Sequence, residues 1–140
     1  SNRRSHSSAF QSVELPGNAV TVTLRYWQQP GGSSDGVDYQ EALLLRADYS
    51  LLTTVARDYA LTGAGQWSER SFDLSRFAGQ TVVVYFNVYN NGGGGQQWSY
   101  LDEAALIVCT PLPATATPEE TPTMTVTATP TPLSTPPANL

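Results

Sequence analysis

The chain has 140 residues and a formal net charge of −5, with 12 acids against seven arginines and no lysine. Those arginines are scattered, so there is no basic stripe to neutralise nucleic-acid phosphates and no polybasic segment for anionic lipid. One cysteine, Cys109, excludes an internal disulfide and a thiolate zinc site, and no apolar run approaches the roughly 20 residues of a membrane-spanning helix.

Two regions differ in kind. From Pro111 onward, PLPATATPEETPTMTVTATPTPLSTPPANL holds eight of the ten prolines and no aromatic residue. Such a stretch cannot bury enough apolar surface to offset the entropy of ordering its backbone, so residues 111–140 are expected to be a disordered Thr/Pro-rich linker or stalk. Residues 1–110 then form one domain with a single core. No leader is recognisable, and hydroxyl-dense Thr/Pro stalks are typical of secreted proteins. Together these lead to the expectation of a mature extracellular or cell-surface piece of a larger protein.

Along the domain, short alternating segments rich in Val, Thr and aromatics lie between turn signals. Ser8–Leu15 ends at the turn pair Pro16–Gly17. Ala19–Gln29 puts Val20, Val22, Leu24 and Tyr26 on one face and Thr21, Thr23, Arg25 and Trp27 on the other. After the loop PGGSSDG come Val37–Arg46 and Leu51–Ala60, the first read as strand although EALLLRA has helical propensity. Gln66–Leu74 follows, then one helical turn at Ser75–Gly79, with Gly79 as a left-handed stop. Thr81–Tyr89 is the strongest strand, with Val82, Val84, Phe86 and Val88 in one row. NNGGGG reads as a mobile hairpin connection, and WSYLDEAALIVC (Trp98–Cys109) closes the domain. Regularly spaced strands without a confident helix predict an all-β, antiparallel jelly-roll sandwich.

Catalysis finds little support in these residues. His6 stands beside Ser5, Ser7 and Ser8 near the N-terminus, with no G-x-S-x-G elbow. Asp102 and Glu103 are adjacent on a strand and face opposite ways, whereas glycoside hydrolysis needs two carboxylates flanking one bond. Asp35/Asp38 and Glu119/Glu120 are the other close pairs. The glycines at 92–95 precede a strand rather than the helix a phosphate site requires.

Two features point instead to binding and fastening. Trp27, Tyr85 and Tyr89 fall on rows opposite the core, and Asn87 alternates between the two tyrosines. Outward aromatics of this kind can stack on a sugar ring, with amides from Asn87, Asn90, Gln96 or Gln97 bonding its hydroxyls. Asp102 lies in the register of Trp98, Tyr100, Ala104, Leu106 and Val108, so alternation predicts a carboxylate facing the core. A buried carboxylate needs a partner: a calcium ion, Arg70, or backbone amides of the N-terminal segment.

Several blocks in order, from SAFQSVELPGNAVTVTLRYWQ through DYQEALLL and FDLSRFAGQTV (Phe72–Val82) to YLDEA (Tyr100–Ala104), resemble the MAM-like and carbohydrate-binding-module-like jelly-roll domains of bacterial secreted and surface proteins. The resemblance covers residues 8–109. It implies a non-catalytic accessory module that binds glycan or contributes to surface adhesion, or alternatively a structural, self-assembling or protein-binding module without sugar binding. It also implies a structural Ca2+ at Asp102, with Asp38 in the position of a second family aspartate. The disulfide partners of the MAM type are absent, leaving Cys109 alone.

Overall fold

A computed structural model describes residues 3–113. Residues 114–140, most of the stretch read as a Thr/Pro stalk and including Glu119/Glu120, lie outside the described residues. Seven strands carry the fold: β1 (Ser5–Glu14), β2 (Thr21–Ser33), β3 (Tyr39–Arg46), β4 (Leu51–Asp58), β5 (Ser68–Asp73), β6 (Thr81–Asn90) and β7 (Gln96–Cys109). They form two antiparallel sheets, a four-stranded one ordered β1-β6-β3-β4 and a three-stranded one ordered β5-β2-β7. This is the all-β sandwich that the alternation predicts. In jelly-roll terms the described strands lack only the one that would lie against the free edge of β7.

Period two decides which side chains meet between the sheets. Val22, Leu24 and Tyr26 of β2 face Ala42 and Leu44 of β3 and Val82 and Val84 of β6, all buried. Val20, expected in the same row, is exposed because it precedes the paired part of β2. The Tyr26 ring meets Phe86 edge-on, with centroids 4.9 Å apart. Burying a residue of this size contributes roughly 1.5–3 kcal/mol.

The block FDLSRFAGQTV closes the lower end of the sandwich. Asp73 Oδ1 accepts the Ser75 amide at 2.9 Å, while Ser75 Oγ accepts the Val22 amide at 3.0 Å. A 3-10 turn over Ser75–Phe77 then drops Phe77 into the core. Gly79 takes φ +80°, the left-handed stop expected of it, and its amide donates to Leu15 O at 3.1 Å.

Three local expectations are overturned. PGGS is not loop: β2 runs through it and pairs with Gln96–Ser99. This is possible because Trp98's indole occupies the place where a side chain at Gly31 would stand, and because Gly32 takes φ +108° directly against Gln96 O. NNGGGG is not a hairpin, since it carries the chain from β6 in one sheet to β7 in the other. It is also tied down: Asn91 donates its backbone amide to Asp38 Oδ1 at 2.7 Å and its side-chain amide to Asp35 Oδ2 at 2.7 Å.

The third correction is Asp102. Before it, the inward residues of β7 are Gln97, Ser99 and Leu101, while Trp98 and Tyr100 are exposed. Arg25 then pairs with Ala105 and Trp27 with Asp102, so Glu103 and Ala104 together oppose Tyr26. This is a β-bulge with Glu103 at φ +47°. It switches the inward row to Leu106 and Val108, and it leaves Asp102, Glu103 and Ala104 all exposed. Asp102 therefore has no buried charge to compensate. Its Oδ1 accepts the neighbouring Glu103 amide at 2.8 Å, and Arg70 pairs with Asp58 at 2.9 Å instead.

Among the described residues no helix is long and apolar enough to cross a membrane. The close approach at Gly32 leads to a stability prediction. Gly32→Ala combines an unfavourable backbone angle with a clash against backbone, and is expected to lower unfolding free energy by about 2–4 kcal/mol. Gly36→Ala has a similar angle but nothing within 4 Å, and should cost only about 1 kcal/mol. Urea unfolding of the two variants measures the difference.

Candidate functional site

The pleat that turns one row of β3 and β6 into core turns the other row onto the outer face of the four-stranded sheet. Register assembles three cross-strand rows there. His6, Tyr89 and Tyr39 are direct partners, as are Ser8, Asn87, Glu41 and Arg57, and then Phe10, Tyr85 and Leu43.

The first row is aromatic. Ring centroids lie 4.8 Å apart for His6–Tyr89, 5.0 Å for Tyr89–Tyr39 and 5.5 Å for Tyr39–Tyr59. The Arg57 guanidinium sits 5.0 Å from the Tyr39 ring centre, a cation–π contact. The third row is aromatic too, with Phe10 stacked 6.0 Å from Tyr85 and meeting Tyr49 edge-on at 5.8 Å.

Between them runs a polar row in which each group has a defined role. Arg57 Nε donates to Glu41 Oε2 at 2.8 Å, and Asn87 Nδ2 donates to Glu41 Oε1 at 2.9 Å. That second bond fixes the Asn87 amide with its oxygen toward His6, whose Nδ1 lies 3.3 Å from it. An acceptor there requires the hydrogen on Nδ1. The Glu41 side chain is only 5 % exposed, against 37 % for Arg57. Hydrogen bonding to Glu41 raises the Arg57 pKa, and burial, then the Glu41 charge, raises that of Tyr39. The row is therefore a fixed set of partnered polar groups rather than a reactive pair. Such a surface can stack on the CH face of a ring while imidazole and guanidinium groups bond its hydroxyls.

The predicted site residues divide among three places. Tyr85, Asn87 and Tyr89 share this face, with Asn87 already engaged by Glu41. Trp27 is half-buried on the opposite outer face, beside Glu69 and Asp102 in register, with Trp98 and Tyr100 exposed on the same sheet. Gln97 is buried between the sheets. It and Asn90 fasten β6 to β7: Gln97 N donates to Asn90 Oδ1 at 2.6 Å and Asn90 Nδ2 to Gln97 O at 3.0 Å. Neither amide reaches the outer surface: both atoms of the Asn90 amide are bonded to Gln97, and Gln97 Nε2 donates inward to the carbonyls of Asp38 and Tyr59. Asp38 is fully buried at the upper end, away from the exposed Asp102. Tyr39, Glu41, Arg57, Tyr59, Phe10 and Tyr49 escaped the sequence reading. The alternation of Tyr39, Glu41 and Leu43 was the available signal, but only strand pairing reveals which row each strand adds.

A family-implied calcium at Asp102 does not fit its surroundings. The carboxylate is exposed, and the described residues contain no group of three or more His, Cys, Asp or Glu side chains that could hold a metal ion. No protein-family model matches the chain, and no curated protein matches it.

Beneath the platform the upper interior is polar. Gln28 Nε2 donates to Gln40 Oε1 at 2.7 Å and to Ser99 Oγ at 3.2 Å, and Gln40 Nε2 to Trp98 O at 3.0 Å. These groups and Tyr26 line a cavity of about 260 Å³. Burial pushes the Tyr26 phenol up to about 12, against a relief from Arg70. A folded-state pKa above the unfolded value of 10.0 stabilises the fold below pH ~10, and that stability is lost as pH rises through ~12. Stability should fall by about 2 kcal/mol across this window, and Tyr26→Phe should flatten the slope. Urea midpoints between pH 9 and 12 measure it.

Proposed function

We propose that this is a non-catalytic glycan-binding module of an extracellular or surface protein, using the outer face of the four-stranded sheet. The observation that carries this reading is the polar row Asn87–Glu41–Arg57 held between two aromatic rows. A pyranose offers an apolar CH face and a rim of hydroxyls, and the platform offers ring faces and oriented donors in the same arrangement. The resemblance to carbohydrate-binding-module-like sandwiches and the Thr/Pro composition after Pro111 support the same reading. Localisation at a cell surface and an adhesive role belong to this proposal.

A glycan array with the intact chain tests it. Binding should be detected, fall about tenfold or more in Tyr89→Ala, and persist in Trp27→Ala. Loss in Trp27→Ala alone would move the site to the other sheet, and an array without any bound glycan would remove the reading.

A second reading, self-assembly, rests on a separate observation. The outer edges of β1 and β7 are unpaired among the described strands and flank an apolar groove of about 440 Å³ lined by Val13, Leu24, Val84, Phe86, Leu101 and Leu106. Strand edges of this kind recruit further strands. A second copy adding its β1 antiparallel to the first would set Glu14 against Ser5 and bring no like charges together. Sedimentation at several concentrations is expected to reveal a dimer under this reading; a monomer throughout discards it.

A further inference from the structure

The outer face of the three-stranded sheet carries all three tryptophans of the chain, Trp27, Trp67 and Trp98. Pairing sets the neighbours there. Glu69, Trp27 and Asp102 form one row across β5, β2 and β7, Gln29 and Tyr100 share the next, and Gly31 and Trp98 the one after. Trp67 stands just ahead of β5 with the parity of Glu69. Trp67, Trp98 and Tyr100 are 45 %, 48 % and 58 % exposed, and Trp27 is half-buried. Gln29 is drawn away from Tyr100, because its Nε2 donates to Gly65 O at 2.8 Å in the segment leading to β5. Trp98 lies down on the sheet: a methyl group built on Gly31 would stand 2.4 Å from its Nε1, so the indole covers the buried Gly31 backbone.

Charge on this face is uneven. The carboxylates in its outward rows are Asp73, Glu69 and Asp102, against one cation, Arg25. Arg25 Nε lies 3.4 Å from Glu69 Oε1, and Asp73 accepts the Ser75 amide at the lower end. Asp102 enters no ion pair among the described residues and accepts the Glu103 amide at 2.8 Å. It stands directly opposite Trp27, and partners of that kind have Cβ atoms about 4.5–5.5 Å apart. Tyr100 precedes it by two residues on the same face, about 7 Å along the strand. One group can therefore touch the carboxylate and both rings. β7 is the edge of its sheet, so no described strand covers Asp102, Tyr100 or Trp98. Ring faces carry partial negative charge, and a carboxylate framed by them is complementary to a cation.

We propose that Trp27, Tyr100 and Asp102 receive an arginine or lysine side chain from a basic peptide segment of a partner protein. The charged head pairs with Asp102, while the stem or guanidinium plane lies on the Trp27 and Tyr100 rings. The occupant is a peptide segment because the aromatic surface runs on past this corner. From the Trp27 row to the Gly31–Trp98 row is about 13 Å, more than one side chain covers. A net charge of −5 without any lysine attracts such a segment at long range. The site lies on the opposite sheet from the platform and does not depend on what the platform binds.

Tryptophan fluorescence of the whole chain, titrated with N-acetyl tetra-arginine amide, tests the proposal. Every tryptophan lies on this face, so the signal reports it and not the platform. A saturable change is expected, weaker at higher ionic strength, with no response to tetraglutamate or tetraglycine. Asp102→Asn should lower the affinity about threefold or more, and Trp27→Leu by a similar factor. Should Trp27→Leu fail to fold, Tyr100→Leu supplies the second ring variant, with the same loss expected. Glu14→Gln, which removes a charge from exposed β1 of the other sheet, and Tyr89→Ala on the platform should leave the affinity unchanged. No saturable change, an equal response to tetraglutamate, an equal loss in Glu14→Gln, or parent affinity in Asp102→Asn or in the ring variant that folds would each overturn the assignment. So would a response to a glycan alone that Trp27→Leu abolishes, which would make this face a sugar site, or a change that grows with protein concentration without peptide, which would make it a contact between copies.

Discussion

The pleat of the two central strands of the four-stranded sheet, β3 and β6, is the constraint from which the other features follow. Each strand must send one row of side chains into the sandwich, and antiparallel pairing locks the two strands at Ala42–Phe86 and Leu44–Val84. Once the core rows are in, the opposite rows have no freedom. Tyr39, Glu41 and Leu43 come to stand against Tyr89, Asn87 and Tyr85, and the edge strands β1 and β4 add His6, Phe10 and Arg57 in the same register. A slip of one residue would exchange core and platform. The platform is thus held by the hydrophobic effect acting on its reverse side.

The same sandwich changes character from end to end. Its lower half is aliphatic, closed by Phe77 and Leu15. Its upper half replaces aliphatic packing with amides: Gln28, Gln40, Asn90 and Gln97 are all buried and cross-linked between sheets. Such groups tolerate burial only while each bond is made, so this half is specified by geometry more than by area. Asp38 is the extreme case, a carboxylate without any exposure whose surroundings supply donors to one oxygen only. Asp38 directly precedes Tyr39 in β3, and Gln97 Nε2 donates to the Tyr59 carbonyl, so order at the polar end and order at the aromatic row are coupled through a few backbone contacts.

β7 illustrates where alternation stops being a guide. Read evenly from Trp98 to Cys109, it puts Asp102 in the core. Period two holds separately on the two sides of the bulge, but the bulge inserts one residue and exchanges the rows. Residues 102–104 carry no Gly or Pro to announce it, and Glu103 accepts a left-handed backbone without the usual signal. The acid that needs explanation is consequently Asp38, which the sequence reading set inside the expected strand Val37–Arg46 and which instead lies fully buried just ahead of β3. The glycines tell a parallel story. Gly31 and Gly32 read as a loop but allow β2 and β7 to approach, a role visible only once the partner strand is known.

By itself the sequence determined the all-β class, nearly every strand, the inward rows of β2 and β6, the turn at Ser75–Phe77 and the shared face of Tyr85, Asn87 and Tyr89. These are local consequences of side-chain period and turn chemistry, which a single strand carries within itself. Tertiary structure alone decided which strands are neighbours, and with that the company each row keeps: Glu41 with Arg57 and Asn87, Trp27 on the other face, Gln97 inside, Asp102 in solvent and Asp38 out of it. Pairing between strands distant in the chain depends on the sum of many weak burial and hydrogen-bond terms over the whole sandwich. No short stretch of residues contains that sum.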